Sequence, residues 1–170
     1  MSRLAEADID TALDIETVSF PAPWGRVSFE GELSEKTSCN LVIKKRQQEK
    51  QARVIAYLCF RLLEDQMHIL NLAVDPAYRR RGVATFLLGY GLRLAKGYGA
   101  KKAFLEVRAS NRAAIQLYKK MGFCKVGRRR RYYLDTQEDA VVMICQAVAQ
   151  TASQSSSDKP PGESFLRSGH

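Results

Sequence analysis

The sequence predicts an α/β fold around a mixed sheet, and three observations carry that prediction. Residues 69–74, Ile69-Leu70-Asn71-Leu72-Ala73-Val74, are a nearly unbroken apolar run of the kind found in a sheet covered on both faces, and Asp75-Pro76 stops it. After Gly82, the residues Ala84, Leu87, Leu88, Gly91 and Ala95 recur at helical spacing and turn one stripe of a helix toward a core. Residues 103–108 then alternate, with Ala103, Leu105 and Val107 on one face and Phe104, Glu106 and Arg108 on the other. Strand, long helix and strand make a βαβ unit, whose right-handed crossover lays the two strands parallel and side by side. Short strands at hairpin spacing before and after this unit add antiparallel neighbours, which makes the sheet mixed.

The remaining elements follow in chain order. Residues 6–19 place Ile9, Ala12, Leu13, Ile15 and Glu16 on a near-helical pattern, with Asp8 as an early cap or first-turn acid. Pro21 and Pro23 break that helix, and residues 27–33 form a second, shorter one. Residues 41–43 and 53–62 read as strands joined by a polar turn over 44–51, and Asp65-Gln66 turns the chain into the central strand. Beyond the βαβ unit, Ser110 or Asn111 caps a helix that Gly122 ends. Asn111 and Tyr118 share one face of it, roughly 10 Å apart at about 1.5 Å per residue. Residues 123–126, 129–134 and 140–145 are the last strands, the final two joined by a hairpin over 135–139. The expectation is a sheet of about seven strands flanked by about four helices.

Composition narrows the class. A chain of 170 residues with 45% hydrophobic residues suits one domain with its own core, expected over residues 1–149. Residues 150–170 are rich in Ser, Gln, Lys, Pro and Gly and are expected to form a disordered tail. No apolar run approaches the roughly 20 residues that span a bilayer, and Met1-Ser2-Arg3-Leu4 begins no apolar signal core, so a cytoplasmic protein is expected. Cys39, Cys59, Cys124 and Cys145 form no Cys-x-x-Cys pair, and His68 and His170 are the two histidines, so no metal site is expected. All four cysteines stand beside apolar residues and read as buried reduced thiols. His68 has no acidic or cysteine neighbour in sequence and reads as a side chain at a sheet surface.

The net charge of +9 fits a nucleic acid, an acidic partner or an anionic cofactor. Seven of the 27 basic residues lie in two runs, 79–81 and 128–131, which favours local anion sites. The first run precedes a helix start. Arg79, Arg80 and Arg81 lead into Gly82, Val83, Ala84 and Thr85, where the first helical amides have no partner inside the helix. Such amides with positive charge beside them suit a phosphate or pyrophosphate, and Gly82 lets the backbone come close to it. The stretch is neither a Walker loop nor a Rossmann fingerprint, since both spacings are missing.

An apolar strand ending Leu72-Ala73-Val74-Asp75-Pro76, followed by Arg79-x-x-Gly82-x-Ala84, resembles the acetyl-CoA motif of the GNAT acetyltransferases. Leu105-Glu106-Val107-Arg108-Ala109-Ser110-Asn111, Ala113-Ala114-Ile115, Leu117-Tyr118, Gly122-Phe123, Arg130-Arg131-Tyr132-Tyr133 and Glu138-Asp139-Ala140 are similar to the RimI branch, the bacterial ribosomal-protein-alanine N-acetyltransferases. The resemblance covers residues 4–146 and implies the GNAT acyl-CoA N-acyltransferase fold, with the two parallel strands splayed to admit the pantetheine arm. It implies acetyl-CoA as co-substrate, no metal, a monomer that requires neither membrane nor nucleic acid, and transfer to the α-amino group of an N-terminal alanine, of a small-subunit ribosomal protein.

By the same resemblance Glu106 is the general base, directly or through water, and Tyr118 the general acid. Leu72, Ala73 and Val74 border the thioester, and Arg79, Arg80, Arg81, Gly82, Val83, Ala84, Thr85 and Asn111 complete the cofactor site. Trp24, Tyr132 and Tyr133 fall on the acceptor side, Trp24 reading equally as a hydrophobic plug and a pocket wall. The chain departs from the branch at Leu134, where a proline usually follows the Tyr-Tyr pair, and in its short hairpin, which bears on acceptor choice. A lysine or small-molecule acetyltransferase and a non-enzymatic basic module that binds ribosome or RNA are the competing readings.

The tail generates its own prediction. Removing residues 151–170 leaves melting temperature and turnover almost unchanged, because a segment with Phe165-Leu166 as its one large apolar pair has little to bury. A marked loss in either measurement on the truncated chain would show that the tail docks on the domain.

Overall fold

The apolar and alternating segments close into one seven-stranded sheet with helices on both faces. The computed structural model describes residues 1–47 and 50–146. The elements are β1 (Ser2–Arg3), a 3-10 turn (Glu6–Asp8), α1 (Ile9–Ser19), α2 (Arg26–Ser34), β2 (Ser38–Gln47), β3 (Lys50–Leu63), β4 (Gln66–Val74), a second 3-10 turn (Pro76–Tyr78), α3 (Val83–Gly97), β5 (Lys102–Arg108), α4 (Arg112–Lys120), β6 (Cys124–Tyr133) and β7 (Glu138–Cys145). Strand order is β1-β2-β3-β4-β5-β7-β6. Only the β4–β5 pair is parallel, so the sheet is mixed, as the βαβ reading requires. The expected tail and the domain boundary at residue 149 lie outside the described residues.

The strand count agrees with expectation, although its membership differs. β1 is a two-residue strand that pairs with Leu41 and Val42 and is too short to leave a periodic signal. Residues 123–126 and 129–134, read as two strands, are one: Gly127 pairs with Val142 and carries the ladder through. Strands β2 and β3 run far into the polar stretch read as a turn, pairing Lys44 with Val54 and Lys45 with Arg53. A backbone ladder needs no apolar side chains once its register is set further down. Asp8 does not cap α1. Its carboxylate accepts the Ala5 amide at 3.0 Å and meets the Lys44 ammonium at 2.7 Å, fixing the chain before the helix to β2.

Each sheet face has its own core. Leu87, Leu88, Leu92 and Ala95 of α3 pack on Phe60, Met67, Ile69, Leu105 and Met143. On the opposite face Ile9, Ala12 and Ile15 of α1 and Phe29 of α2 pack on Val42, Val54, Tyr57 and Cys59. β4 serves both by alternation, but its register slips: Asn71 faces Cys59 and Ile69 faces Phe60, so Leu70 is an extra residue. A bulge of this kind shifts the side-chain alternation by one. Leu70 and Ala73 therefore belong to the α1 face, while Leu72 and Val74 return to the α3 face.

At the far edge, β6 is exposed along nearly its whole length. Its arginine run and a register break over 129–133, where Arg131 takes φ 49°, blunt an edge that could otherwise pair with another chain. Edge exposure also corrects one cysteine. Cys39, Cys59 and Cys145 are buried thiols as expected, but Cys124 at the start of β6 is exposed.

Two glycines of α3 should respond in opposite ways to alanine. A Cβ at Gly91 would lie 2.6 Å from Leu58 Cδ2, with Met67 Cε and Phe60 Cε1 at 3.4 and 3.6 Å. Leu58, Met67 and Phe60 are fully buried and have little room to retreat. Overpacking of this sort costs about 1–3 kcal/mol, against about 1 kcal/mol gained in helix propensity. At Gly97 an added Cβ would meet nothing within 4 Å. In urea unfolding, Gly91→Ala is expected to lose about 1 kcal/mol net, and Gly97→Ala to gain about 0.5 kcal/mol.

Candidate active site

The βαβ unit places its helix start at the carboxyl end of the parallel pair. β4 and β5 pair from Gln66↔Lys102 to Ile69↔Leu105 and, among the described residues, the pairing ends there. It ends one residue before the Leu70 bulge, and beyond it β4 keeps β3 while β5 keeps β7. The strands part, and the β4 edge from Leu70 to Val74 loses its neighbour on that side. The splay implied by the resemblance thus has a local cause in the extra residue.

Asp75 ends β4 by accepting the Ala77 amide at 2.9 Å, and the Pro76–Tyr78 turn carries the chain to α3. Gly82 precedes the helix with φ 77°, a left-handed conformation that suits glycine, and an added Cβ there would meet nothing within 4 Å. The space before the α3 amides is therefore open, as a pyrophosphate needs. Leu72, Ala73, Val74, Arg79, Arg80, Gly82, Val83, Ala84, Thr85 and Asn111 all line one cavity of about 810 Å³. Arg81 does not line it; its guanidinium lies over the Tyr78 ring at 5.7 Å. Arg79 lines the cavity but is committed to the fold. Its Nε donates to the Val74 carbonyl and its Nη2 to Ser19 Oγ, both at 2.9 Å, stapling the end of β4 to α1.

A second cavity of about 430 Å³ lies between the α1–α2 loop, the parted strands and the β6–β7 hairpin. Trp24, Glu106, Tyr132 and Tyr133 line it. Phe20, Leu72, Asn111, Ala114 and Tyr118 border both cavities, which makes the two adjoin with Tyr118 in the wall they share. Asn111 Oδ1 caps α4 by accepting the Ala114 amide at 3.1 Å, so its Nδ2 amide is the group that can serve a ligand. Trp24 is both plug and wall: its ring meets Phe29 edge-on at 5.4 Å while it lines the second cavity.

Glu106 is nearly buried and holds two basic groups, His68 Nε2 at 3.0 Å from Oε2 and Arg129 Nη2 at 3.1 Å from Oε1. His68 is thus more than a sheet-surface side chain; it also stacks on Phe104 at 4.2 Å. The parallel register that sets His68 beside Phe104 brings it to Glu106, 38 positions away, which no local pattern announces. Arg129 reaches Glu106 from the edge strand, while Arg108 turns away from it. The Arg108 guanidinium bonds Asp135 at 2.8 Å and Thr136 at 2.7 Å, and covers the Tyr133 ring at 4.0 Å, fixing the hairpin that walls the second cavity. Leu134 stands at that wall with 79% of its surface exposed.

Tyr118 is buried against Phe123, and burial, with Tyr133 nearby, pushes its phenol far above the usual tyrosine range. Burial likewise pushes Tyr133 up to about 12. Both stay protonated at any physiological pH and act as hydrogen-bond donors. A third buried group went unsingled by the sequence: Glu16 of α1 accepts the Tyr57 hydroxyl at 2.6 Å, the Trp24 amide at 3.4 Å and the Asn71 side-chain amide.

Comparison with known proteins bears on the family. The profile of the Acetyltransferase (GNAT) family matches residues 9–123. The ribosomal protein bS18-alanine N-acetyltransferase of Salmonella typhimurium is 34% identical over 145 residues, covering 84% of this chain and 94% of that protein. The Escherichia coli K12 protein of the same name is 32% identical over the same length, with the same coverage. The crystal structure of the Escherichia coli ribosomal-protein-S18-alanine N-acetyltransferase superposes with a TM-score of 0.73 at 32% identity, covering 85% of this chain and 90% of that one. Arabidopsis thaliana NAA60 in complex with acetyl-CoA shares the fold, with a TM-score of 0.74 at 20% identity over 84% of this chain and 94% of that one. With a profile spanning most of its length and relatives above 30% identity along nearly their whole sequences, this chain belongs to the GNAT acetyltransferase family.

Proposed function

We propose that this acetyltransferase moves an acetyl group from acetyl-CoA to the α-amino group of an N-terminal alanine, on a small-subunit ribosomal protein. The observation that carries the reading is the pair of adjoining cavities that share Tyr118, with Glu106 lining one and the open Gly82 cradle lining the other. The named relatives are ribosomal-protein alanine N-acetyltransferases, and their similarity covers 84% of this chain. A cytoplasmic enzyme working as a monomer without a metal is the matching reading; among the described residues no helix is long and apolar enough to cross a membrane.

When bound, acetyl-CoA supplies an acetyl thioester that an amine attacks directly, with no covalent enzyme intermediate. The α3 amides and Gly82 hold its pyrophosphate, and the open β4 edge near Leu72–Val74 offers backbone N–H groups to the thioester oxygen. Glu106 takes the proton that the attacking amine sheds, while His68 and Arg129 fix its two oxygens and the Arg129 guanidinium offsets its charge. An α-amine titrates at about 7.7–8.0 and a lysine near 10.4, so a weak base suffices for an N-terminus at neutral pH. Tyr118 donates a hydrogen bond to the departing sulfur. With its phenol pushed so far up, full proton transfer to a thiolate whose conjugate thiol has the ordinary pKa of about 8.5 is uphill, and a hydrogen bond that strengthens as charge develops is the economical role.

Two predictions test the two cavities in turn. At the cradle, Gly82→Asp places a strained side chain and a negative charge where the pyrophosphate meets the helix start, and acetyl-CoA affinity should fall at least tenfold in calorimetry. Wild-type affinity in that variant would remove the phosphate assignment.

At the junction, single-turnover acetylation of an Ala-starting peptide separates the two candidate groups. Glu106→Gln should lose most at low pH, where few amines are neutral, with the defect shrinking above the amine pKa of about 8. Tyr118→Phe should lower the rate by a similar factor across pH 6–9 and leave acetyl-CoA affinity nearly unchanged, since the ring and its packing remain. A pH-independent loss in Glu106→Gln together with weaker acceptor binding would make Glu106 a positioning group. Faster transfer to internal lysines than to the N-terminal alanine would overturn the acceptor class.

A further inference from the structure

We infer that Glu16 is a positioning residue for acetyl transfer: from the buried face of α1 it fixes the bulged Leu70–Asn71 backbone beside the thioester site. The inference rests on the proposed use of the parted β4 edge. Glu16 is fully buried, and its neighbours on α1 that share its core are Ile9, Ala12 and Ile15. A carboxylate there is costly, and an apolar side chain of similar size would hold α1 to the sheet at least as well. What the carboxylate does that an apolar group cannot is accept three hydrogen bonds from three separate parts of the site. Tyr57 donates from β3, Asn71 from the β4 bulge and the Trp24 amide from the acceptor loop.

Asn71 is the informative donor. Without the extra Leu70 the alternation of β4 would turn residue 71 to the α3 face; with it, the Asn71 amide meets Glu16. The adjacent Leu72 borders both cavities, so an anchor at 71 fixes the strand edge on which thioester and acceptor converge. The Trp24 bond ties the same carboxylate to the wall of the acceptor cavity. One buried anion thereby holds the acceptor loop and the bulged backbone in a single relation. Among the described residues, the groups that face it are the Tyr57 hydroxyl, the Asn71 amide and the Trp24 N–H, all donors, so a replacement that brings an N–H of its own must expel one of them.

Glu16→Gln makes that change with little alteration of shape, and Tyr57→Phe removes one donor while leaving the carboxylate. Glu16→Gln is expected to stay folded, to bind CoA within twofold of wild type because Glu16 does not line the cavity that holds the Gly82 cradle, and to lose at least tenfold in single-turnover acetylation. Tyr57→Phe is expected to lose about threefold, since the Asn71 and Trp24 donors remain on the carboxylate. Calorimetry without any acceptor supplies the independent reading: the ratio of acetyl-CoA to CoA affinity should fall in Glu16→Gln, since the bulged edge meets the acetyl group and not the nucleotide. Unchanged turnover and an unchanged affinity ratio in a folded Glu16→Gln would overturn the inference, as would a loss of turnover that only tracks the unfolded fraction. If Glu16→Gln does not fold, the same two measurements on Tyr57→Phe decide, with wild-type values overturning it. Failure of the wild type to acetylate Ala-starting peptides would instead count against the acceptor assignment and leave the affinity ratio as the test of Glu16.

Discussion

The parting of β4 and β5 is the constraint from which the rest of the site follows. A sheet normally satisfies each strand edge with a neighbour, and leaving part of a central edge unpaired costs hydrogen bonds. Here the extra Leu70 breaks the β4 register just past Ile69↔Leu105, and the two parallel strands lose each other at that point. The opened edge borders both cavities, which share Leu72 and Tyr118. The fault is held open from below by Glu16, whose bond to Asn71 would have no partner in a regular ladder.

Charge is distributed by the same logic of satisfaction. The chain is strongly basic, yet several of its arginines serve internal acceptors. Arg79 binds a strand carbonyl and Ser19, Arg108 binds Asp135 and Thr136, Arg128 binds Asp139, and Arg129 binds Glu106. Of the three arginines before α3, Arg79 is committed to the fold and Arg81 lies over Tyr78, which leaves Arg80 beside the Gly82 turn to face the cavity. In the proposed mechanism this division matters, because amides hold a phosphate without competing for the acceptor, while the carboxylates and phenols remain for the amine and the sulfur.

The acceptor wall shows how distant elements cooperate. The hairpin that carries Tyr132, Tyr133 and Leu134 is fixed by Arg108 from β5, the strand that also carries Glu106. Across the cavity, the loop that carries Trp24 is fixed by Glu16 and packs on Phe29. Each wall is thus anchored to a strand or helix that also bears a site residue. Exposed Leu134 stands on the same wall.

Much of the fold was legible from sequence, for reasons that are local. Alternation in residues 103–108, the apolar run at 69–74 and the stripe of α3 report burial by position, and the Gly82 turn reports a helix start whose amides lie open. Glu106, Tyr118 and Asn111 were legible only through the resemblance, since a single carboxylate, phenol or amide carries no local signal of its use. The short β1, the continuity of β6 through Gly127 and the exposure of Cys124 were not legible, because strand pairing and edge position depend on distant partners. The Leu70 bulge was hidden for a related reason: in a run of apolar residues a one-residue slip changes no letter, only the face each side chain takes. His68 and Arg129 on Glu106, Arg108 on the hairpin and Glu16 on Asn71 join residues 23 to 55 positions apart in the chain. The sequence determined which segments are strand or helix and where an anion can sit, since those depend on neighbours along the chain. The tertiary structure alone decided which charged and polar groups meet, because that depends on register, and register is set by the whole sheet.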